Sequence, residues 1–255
     1  MPLPFTFVLA LGAMVAAYLL LAEAVKRPMS PRATKDWLVI GQVLATNPAH
    51  AVRGRKHVVR RGKTPVLTED QARHLLESID PTTLVGLRDR ALIAVMTYAF
   101  ARIGAAVGMR VEDHYPEGKP WWVRLHEKGG KRHEMPTHHK LEAYLDAYVK
   151  AAGIAEDGRS PLFRSAAGRT GLLTASALNR VDAYRMIRRR TAEAGLKGKL
   201  GCHVFRATGI TAYLEASGSL ENAQAMAAHE SPRTTKLYDR TGDQITLDEV
   251  ERIRI

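Results

Sequence analysis

Residues 121–136 constrain the fold of this chain more than any other stretch. Trp121, Val123 and Leu125 alternate with Trp122, Arg124 and His126, which is the period of a strand with two unlike faces. Lys128-Gly129-Gly130-Lys131 supplies a turn, and residues 132–136 run back until Pro136 ends the pairing. Trp121 and Trp122 point to opposite faces, so at most one of them is core. The segments on either side have helical signals instead. Thr68 followed by Gln71 has capping-box spacing and opens a helix to about Ser78, and Pro81 separates it from an apolar helix over 86–100. Further helices are expected over 140–152, 175–194 and 203–216, with Gly153, Gly195 and Gly218 as stops. Ser231 before Pro232 caps a short last helix that is expected to carry Tyr238 about two turns in. The expectation is a mainly α fold with a small antiparallel β-hairpin or sheet.

The N-terminal part reads differently. Residues 2–22 are apolar and uncharged, close to the ~20 residues that span a bilayer. No basic segment precedes them, as a signal peptide would require, whereas Lys26, Arg27, Arg32 and Lys35 follow and would hold the remainder in the cytoplasm. A membrane anchor therefore competes with a buried helix or a non-native N-terminus for residues 1–34. Residues 36–47 form an amphipathic helix ended by Pro48, and residues 51–63 carry Arg53, Arg55, Lys56, Arg60, Arg61 and Lys63 with few apolar side chains. That is a basic linker, suited to lie along a DNA backbone or to be solvated. The division expected is 1–34, 35–66 and a main domain over 67–255.

With 38 basic and 26 acidic residues the chain has a formal net charge of +12, which points to a polyanionic partner. Its one cysteine, Cys202, forms no internal disulfide, so nothing argues for an oxidising compartment and the chain is read as cytoplasmic. Near the C-terminus, His203 and Arg206 lie three apart on one helix face, and His229 precedes Tyr238 by nine residues. A tyrosine is a poor nucleophile at a free pKa of about 10 and needs neighbours that take its proton and neutralise the group it attacks. Two imidazoles and a guanidinium are those neighbours. No carboxylate cluster stands out as a metal cage, so the cations that meet developing phosphoryl charge have to come from the protein.

Together, Phe100-Ala101-Arg102-Ile103, Lys128 in the hairpin turn, His203-x-x-Arg206, and His229 ahead of Tyr238 resemble the tyrosine recombinases, the phage-type integrases, over residues 36–240. The resemblance implies the DNA breaking and rejoining catalytic fold and site-specific recombination through a 3′-phosphotyrosyl intermediate, with no metal, ATP or other cofactor. Arg102 and Arg206 would clamp the scissile phosphate, and Lys128, with Lys131 as the second candidate, would protonate the departing 5′-hydroxyl. His203 would accept the proton of Tyr238, and His229 would hold the phosphate. Double-stranded DNA is the implied partner and a homotetramer on two DNA sites the working unit, with residues 241–255 docking on a neighbouring subunit. The setting would be a mobile genetic element. An impaired integrase that only binds DNA, and a type IB topoisomerase, are the alternatives.

Two departures from that family matter. Gly104-Ala105 stand where it usually has Ser-Glu, so a hydrogen bond supporting the active-site arginine is expected to be missing. Of the helical core-binding domain that normally precedes the linker, only the last helix is expected here, near 36–44. Other features have plainer readings. Gly62-Lys63-Thr64 follows no apolar strand and is not a P-loop. His126, His133, His138 and His139 lack zinc-ligand spacing. Arg185, Arg188, Arg189 and Arg190 make a basic helix face, with Arg188 and Arg189 the candidates for DNA contact.

Overall fold

The computed structural model describes residues 39–42, 45–46, 62–127, 130, 132–168 and 170–240. The chain divides into two units, Met1–Val58 and Val59–Ile255. In the first, Val39 and Ile40 form a helical turn in which the Gln42 amide donates to the Val39 carbonyl at 3.0 Å. The apolar run over 2–22, most of the expected helix over 36–47, and Arg53, Arg55, Lys56, Arg60 and Arg61 lie outside the described residues. Among the described residues no helix is long and apolar enough to cross a membrane.

The second unit begins with α1 (Glu69–Ser78), whose capping box forms as its spacing predicts, with Thr68 and Gln71 each bonding the other's backbone. Helix α2 (Leu84–Tyr98) is capped by Thr83 and is apolar on almost every face, as a helix enclosed by others must be. It packs against α4 (His139–Ala152) and α6 (His203–Glu215). The approach to α6 is close because Gly209 has no side chain: a Cβ there would stand 1.9 Å from the Thr97 carbonyl oxygen. Between α2 and the sheet lies α3 (Ile103–Val107), followed by a 3-10 turn at Val111–Asp113.

The hairpin expected over 121–136 is β2 (Trp121–His126) and β3 (Arg132–Pro136), antiparallel with Arg124 opposite Glu134 and His126 opposite Arg132. A short strand, β1 (His114–Pro116), extends it on the β2 side. Val123 and Leu125 face the core, while both tryptophans are only partly covered. A second hairpin, β4 (Arg164–Ala166) with β5 (Leu173–Ala177), takes residues that the sequence assigns to the start of a helix over 175–194. Helix α5 (Arg180–Glu193) starts later because the Asn179 side chain caps it, accepting from the Asp182 amide. Asp89 on α2 is fully buried and draws in Arg88 at 2.5 Å, Arg190 at 2.9 Å and Arg189 at 3.4 Å, tying α2 to α5.

Two short helices close the described chain, α7 (Leu220–Met226) and α8 (Pro232–Lys236). Pro232 opens α8 as expected, but the Ser231 side chain makes no capping bond and the helix ends before Tyr238. Tyr238 instead joins a small cluster with Phe100, Ala207, Ile210, Leu214, Ala223 and Ala227. Its carbonyl oxygen accepts from the Thr211 hydroxyl at 2.9 Å, and the Gly62 amide donates to the Leu237 carbonyl at 2.9 Å, which anchors the segment from both sides.

Candidate active site

Arg206 is the centre of the site and only 1% exposed. One Nη donates to the Phe100 carbonyl and the other to the Ala227 carbonyl. Backbone shape makes these acceptors available: Phe100 at φ 49° and Ala228 at φ 46° are both left-handed, a conformation that non-glycine residues adopt only when their surroundings hold them there. Each Nη keeps a second N–H, and the buried Nε has no hydrogen-bond partner among the described residues. Burial, then repulsion from Arg102, pulls the Arg206 pKa down to about 10, so the guanidinium is still charged at neutral pH.

Arg102 enters from the N-cap position of α3, with its side chain 41% exposed. Its Nη1 pairs with Glu127 Oε2 at 2.5 Å, and the other Glu127 oxygen lies 4.0 Å from Arg206 Nη1. Glu127 directly follows β2 and is buried. Sequence reasoning missed it. The signal was its place directly before Lys128, but a single carboxylate beside a turn resembles any solvated charge.

His203 opens α6, so the helix projects His203 and Arg206 from one face. His203 Nε2 stands 2.7 Å from Tyr238 Oη. Burial, with the positive charge of Arg206 and Arg102, holds the His203 pKa below its ordinary value, leaving a neutral ring that can accept a proton. His229 stacks on Tyr238 with ring centroids 5.7 Å apart and planes 11° apart, and its Nδ1 meets the Thr235 hydroxyl at 2.9 Å. Burial, then Arg206, Arg102 and His203, lowers its pKa to about 4. Burial raises the Tyr238 phenol, and Arg206 and Arg102 act against that rise. The group is thus a protonated phenol bonded to a neutral imidazole beside two fixed cations. Such an arrangement can hold an anionic ester and deliver a phenolate to it.

Of the residues singled out in the sequence, Arg102, His203, Arg206, His229 and Tyr238 converge. Lys128 and Lys131 lie outside the described residues. Arg188 donates to the Gly198 carbonyl at 3.1 Å, and Arg189 pairs with Asp89 at 3.4 Å and Glu193 at 3.8 Å while remaining half exposed. Of the hairpin histidines, His126 meets Asp113 at 3.2 Å, His138 caps α4 and stacks on Tyr98, and His133 is half-buried, which lowers its pKa. Among the described residues no group of three or more His, Cys, Asp or Glu could hold a metal ion.

A helical domain with small antiparallel sheets that brings two arginines and two histidines to one tyrosine defines a class. The Phage integrase family matches residues 65–244, and the chain belongs to that family. It is similar to the tyrosine recombinase XerC of Salmonella typhi, 29% identical over 207 residues that are 80% of this chain and 64% of that protein. XerC of Escherichia coli O127:H6 is 30% identical over the same shares. The chain therefore spans 64% of the length of these relatives. A solved lambda integrase dimer bound to a COC′ core site matches with a TM-score of 0.62 at 19% identity, over 85% of this chain and 59% of that one. XerH in its post-cleavage complex with palindromic difH matches at 0.56 and 21%, over 75% and 52%. These likenesses show the fold, that of tyrosine recombinase catalytic domains.

Proposed function

We propose that this chain is a site-specific recombinase that cuts and rejoins duplex DNA through Tyr238. The observation that carries the reading is the 2.7 Å bond between His203 Nε2 and Tyr238 Oη, directly beside Arg206. His203 takes the phenol proton as Oη attacks phosphorus. The Oη–P bond forms, the P–O5′ bond breaks, and the 5′-oxygen leaves with a proton that the family resemblance assigns to Lys128. Arg102 and Arg206 face the non-bridging oxygens, and the unpartnered Nε of Arg206 is one of the donors they offer. His229, neutral and aligned along Tyr238, supplies a further hydrogen bond. Because the phosphotyrosyl ester keeps the bond energy of the diester, a second 5′-hydroxyl reverses the step without ATP.

DNA is the partner that this chemistry and the net charge of +12 imply. Arg53, Arg55, Lys56, Arg60, Arg61, Lys131, Arg188 and Arg189 are the proposed backbone contacts, and a homotetramer on two sites is the proposed working unit. One solved relative is a lambda integrase tetramer bound to a Holliday junction, which supports the assembly for that protein. The test is covalent capture from a random-sequence pool of duplexes carrying a nick one nucleotide from the cleavage position. The full chain should form a denaturation-resistant adduct with selected members and Tyr238→Phe none. Binding without an adduct in either protein would reduce the chain to a DNA-binding remnant. Relaxation of plasmids with no sequence requirement would mark a type IB topoisomerase instead.

A further inference from the structure

We propose that Glu127 is a positioning residue of this site: its carboxylate, fixed behind Arg102 and Arg206, sets the orientation in which Arg102 meets a phosphate. The proposal rests on the strand-transfer reading above and assigns the source of an orientation that the sequence around Arg102 does not supply.

Arg102 has nothing on its own helix to hold it. It makes no side-chain capping bond, and Gly104 and Ala105 carry no polar side-chain atom. The space beside Gly104 is taken by the Arg180 guanidinium, which lies 2.6 Å from where a Cβ would stand and does not reach Arg102 through any hydrogen bond among the described residues. A long side chain left 41% exposed and untethered would sample several rotamers, and ordering it at the moment of reaction would cost rate.

Glu127 removes that freedom from a different element. Its side chain is 4% exposed and faces two guanidiniums, Arg102 at 2.5 Å and Arg206 at 4.0 Å, so a buried carboxylate there is matched by opposite charge. The difference in exposure also fixes its side. Arg102 opens to solvent, from which DNA must arrive, and the carboxylate lies in the interior. It therefore supports the cation from behind and does not occupy the place of the phosphate.

The experiment compares single-turnover cleavage of the captured nicked duplex, and affinity for it, across wild type, Glu127→Gln, Glu127→Asp, Arg102→Ala and the double variant Arg102→Ala/Glu127→Gln. Glu127→Gln should cleave about 10- to 100-fold more slowly, the scale of a misplaced reacting group, with DNA affinity unchanged. Glu127→Asp should recover part of the rate. In the Arg102→Ala background Glu127→Gln should cost nothing more, since residues acting through one another are not additive. Wild-type or faster cleavage by Glu127→Gln, an equal loss in both backgrounds, or a loss of affinity that matches the loss of rate would overturn the proposal. If Glu127→Gln does not fold, Glu127→Asp decides, with slower cleavage at unchanged affinity expected and the wild-type rate contradicting it. A wild-type chain that forms no adduct overturns the strand-transfer reading and this proposal with it, whereas a reactive wild type with an unaffected Glu127→Gln overturns this proposal alone.

Discussion

Arg206→Lys separates what the buried guanidinium does by shape from what it does by charge. Lysine keeps the positive charge, so the repulsion from Arg102 and the attraction to Glu127 remain. What changes is geometry. Arg206 reaches the Phe100 and Ala227 carbonyls with two different nitrogens, whereas the lysine donors all radiate from one atom. At least one buried carbonyl then loses its partner. A buried polar group left unsatisfied costs about 1–3 kcal/mol, and the more strongly hydrated ammonium is no easier to bury. Taking about 2 kcal/mol, and about 2–4 °C per kcal/mol for a domain of this size, the melting temperature should fall by about 4–8 °C. Cleavage should fall by about 100-fold or more, because a point charge does not reproduce fixed donors aimed at two phosphate oxygens. Circular-dichroism melts and single-turnover adduct formation measure the two effects on one preparation. An Arg206→Lys chain that melts at or above the wild-type temperature would show that the carbonyl contacts contribute nothing. Wild-type cleavage would show that Arg206 does not meet the phosphate.

Acid should destabilise the protein in a defined window. His114 and His229, both near pKa 4 in the fold against an ordinary 6.5, stay neutral there while the unfolded chain takes up protons, so stability is full above about pH 6.5 and falls as pH drops towards 4. The loss should reach up to about 3 kcal/mol for each group, read as a falling urea midpoint, and a midpoint constant from pH 7.5 to 4.5 would contradict it. Gly209→Ala should cost about 1–3 kcal/mol or more, because the new methyl would lie 1.9 Å from the Thr97 oxygen and 2.9 Å from the Phe100 ring. Adduct formation should slow as well, since Phe100 supplies a carbonyl to Arg206, and an unchanged urea midpoint would contradict this account of the α2–α6 contact.

Much of the fold was readable in the sequence because its signals were local. Period-two alternation gave β2 and β3, and Thr68 with Gln71 gave the start of α1. The same local reading misplaced the start of α5. Residues 175–177 have no helix breaker, and it is pairing with the distant Arg164–Ala166 segment that makes them a strand. Tyr238 was singled out as the candidate nucleophile yet assigned to a helix that ends before it, because its position depends on Thr211 and the small cluster around Phe100. Residue type and spacing singled out His203, Arg206, His229 and Tyr238, and the family resemblance added Arg102; the fold brings these five together. Glu127, Thr211 and Thr235 were not singled out, since hydroxyls and a single carboxylate acquire meaning only from partners far away in the chain. The left-handed backbone at Phe100 and Ala228 was equally hidden, as neither residue type favours it.

The central claim is that Tyr238 becomes ester-linked to DNA, and peptide mapping of the captured adduct tests it directly. After exhaustive nuclease and protease digestion, mass spectrometry should find the residual nucleotide on the peptide containing Tyr238, attached through its phenol oxygen. An adduct on another residue, or a wild-type chain that binds the nicked duplex and leaves no nucleotide on Tyr238, would contradict the account.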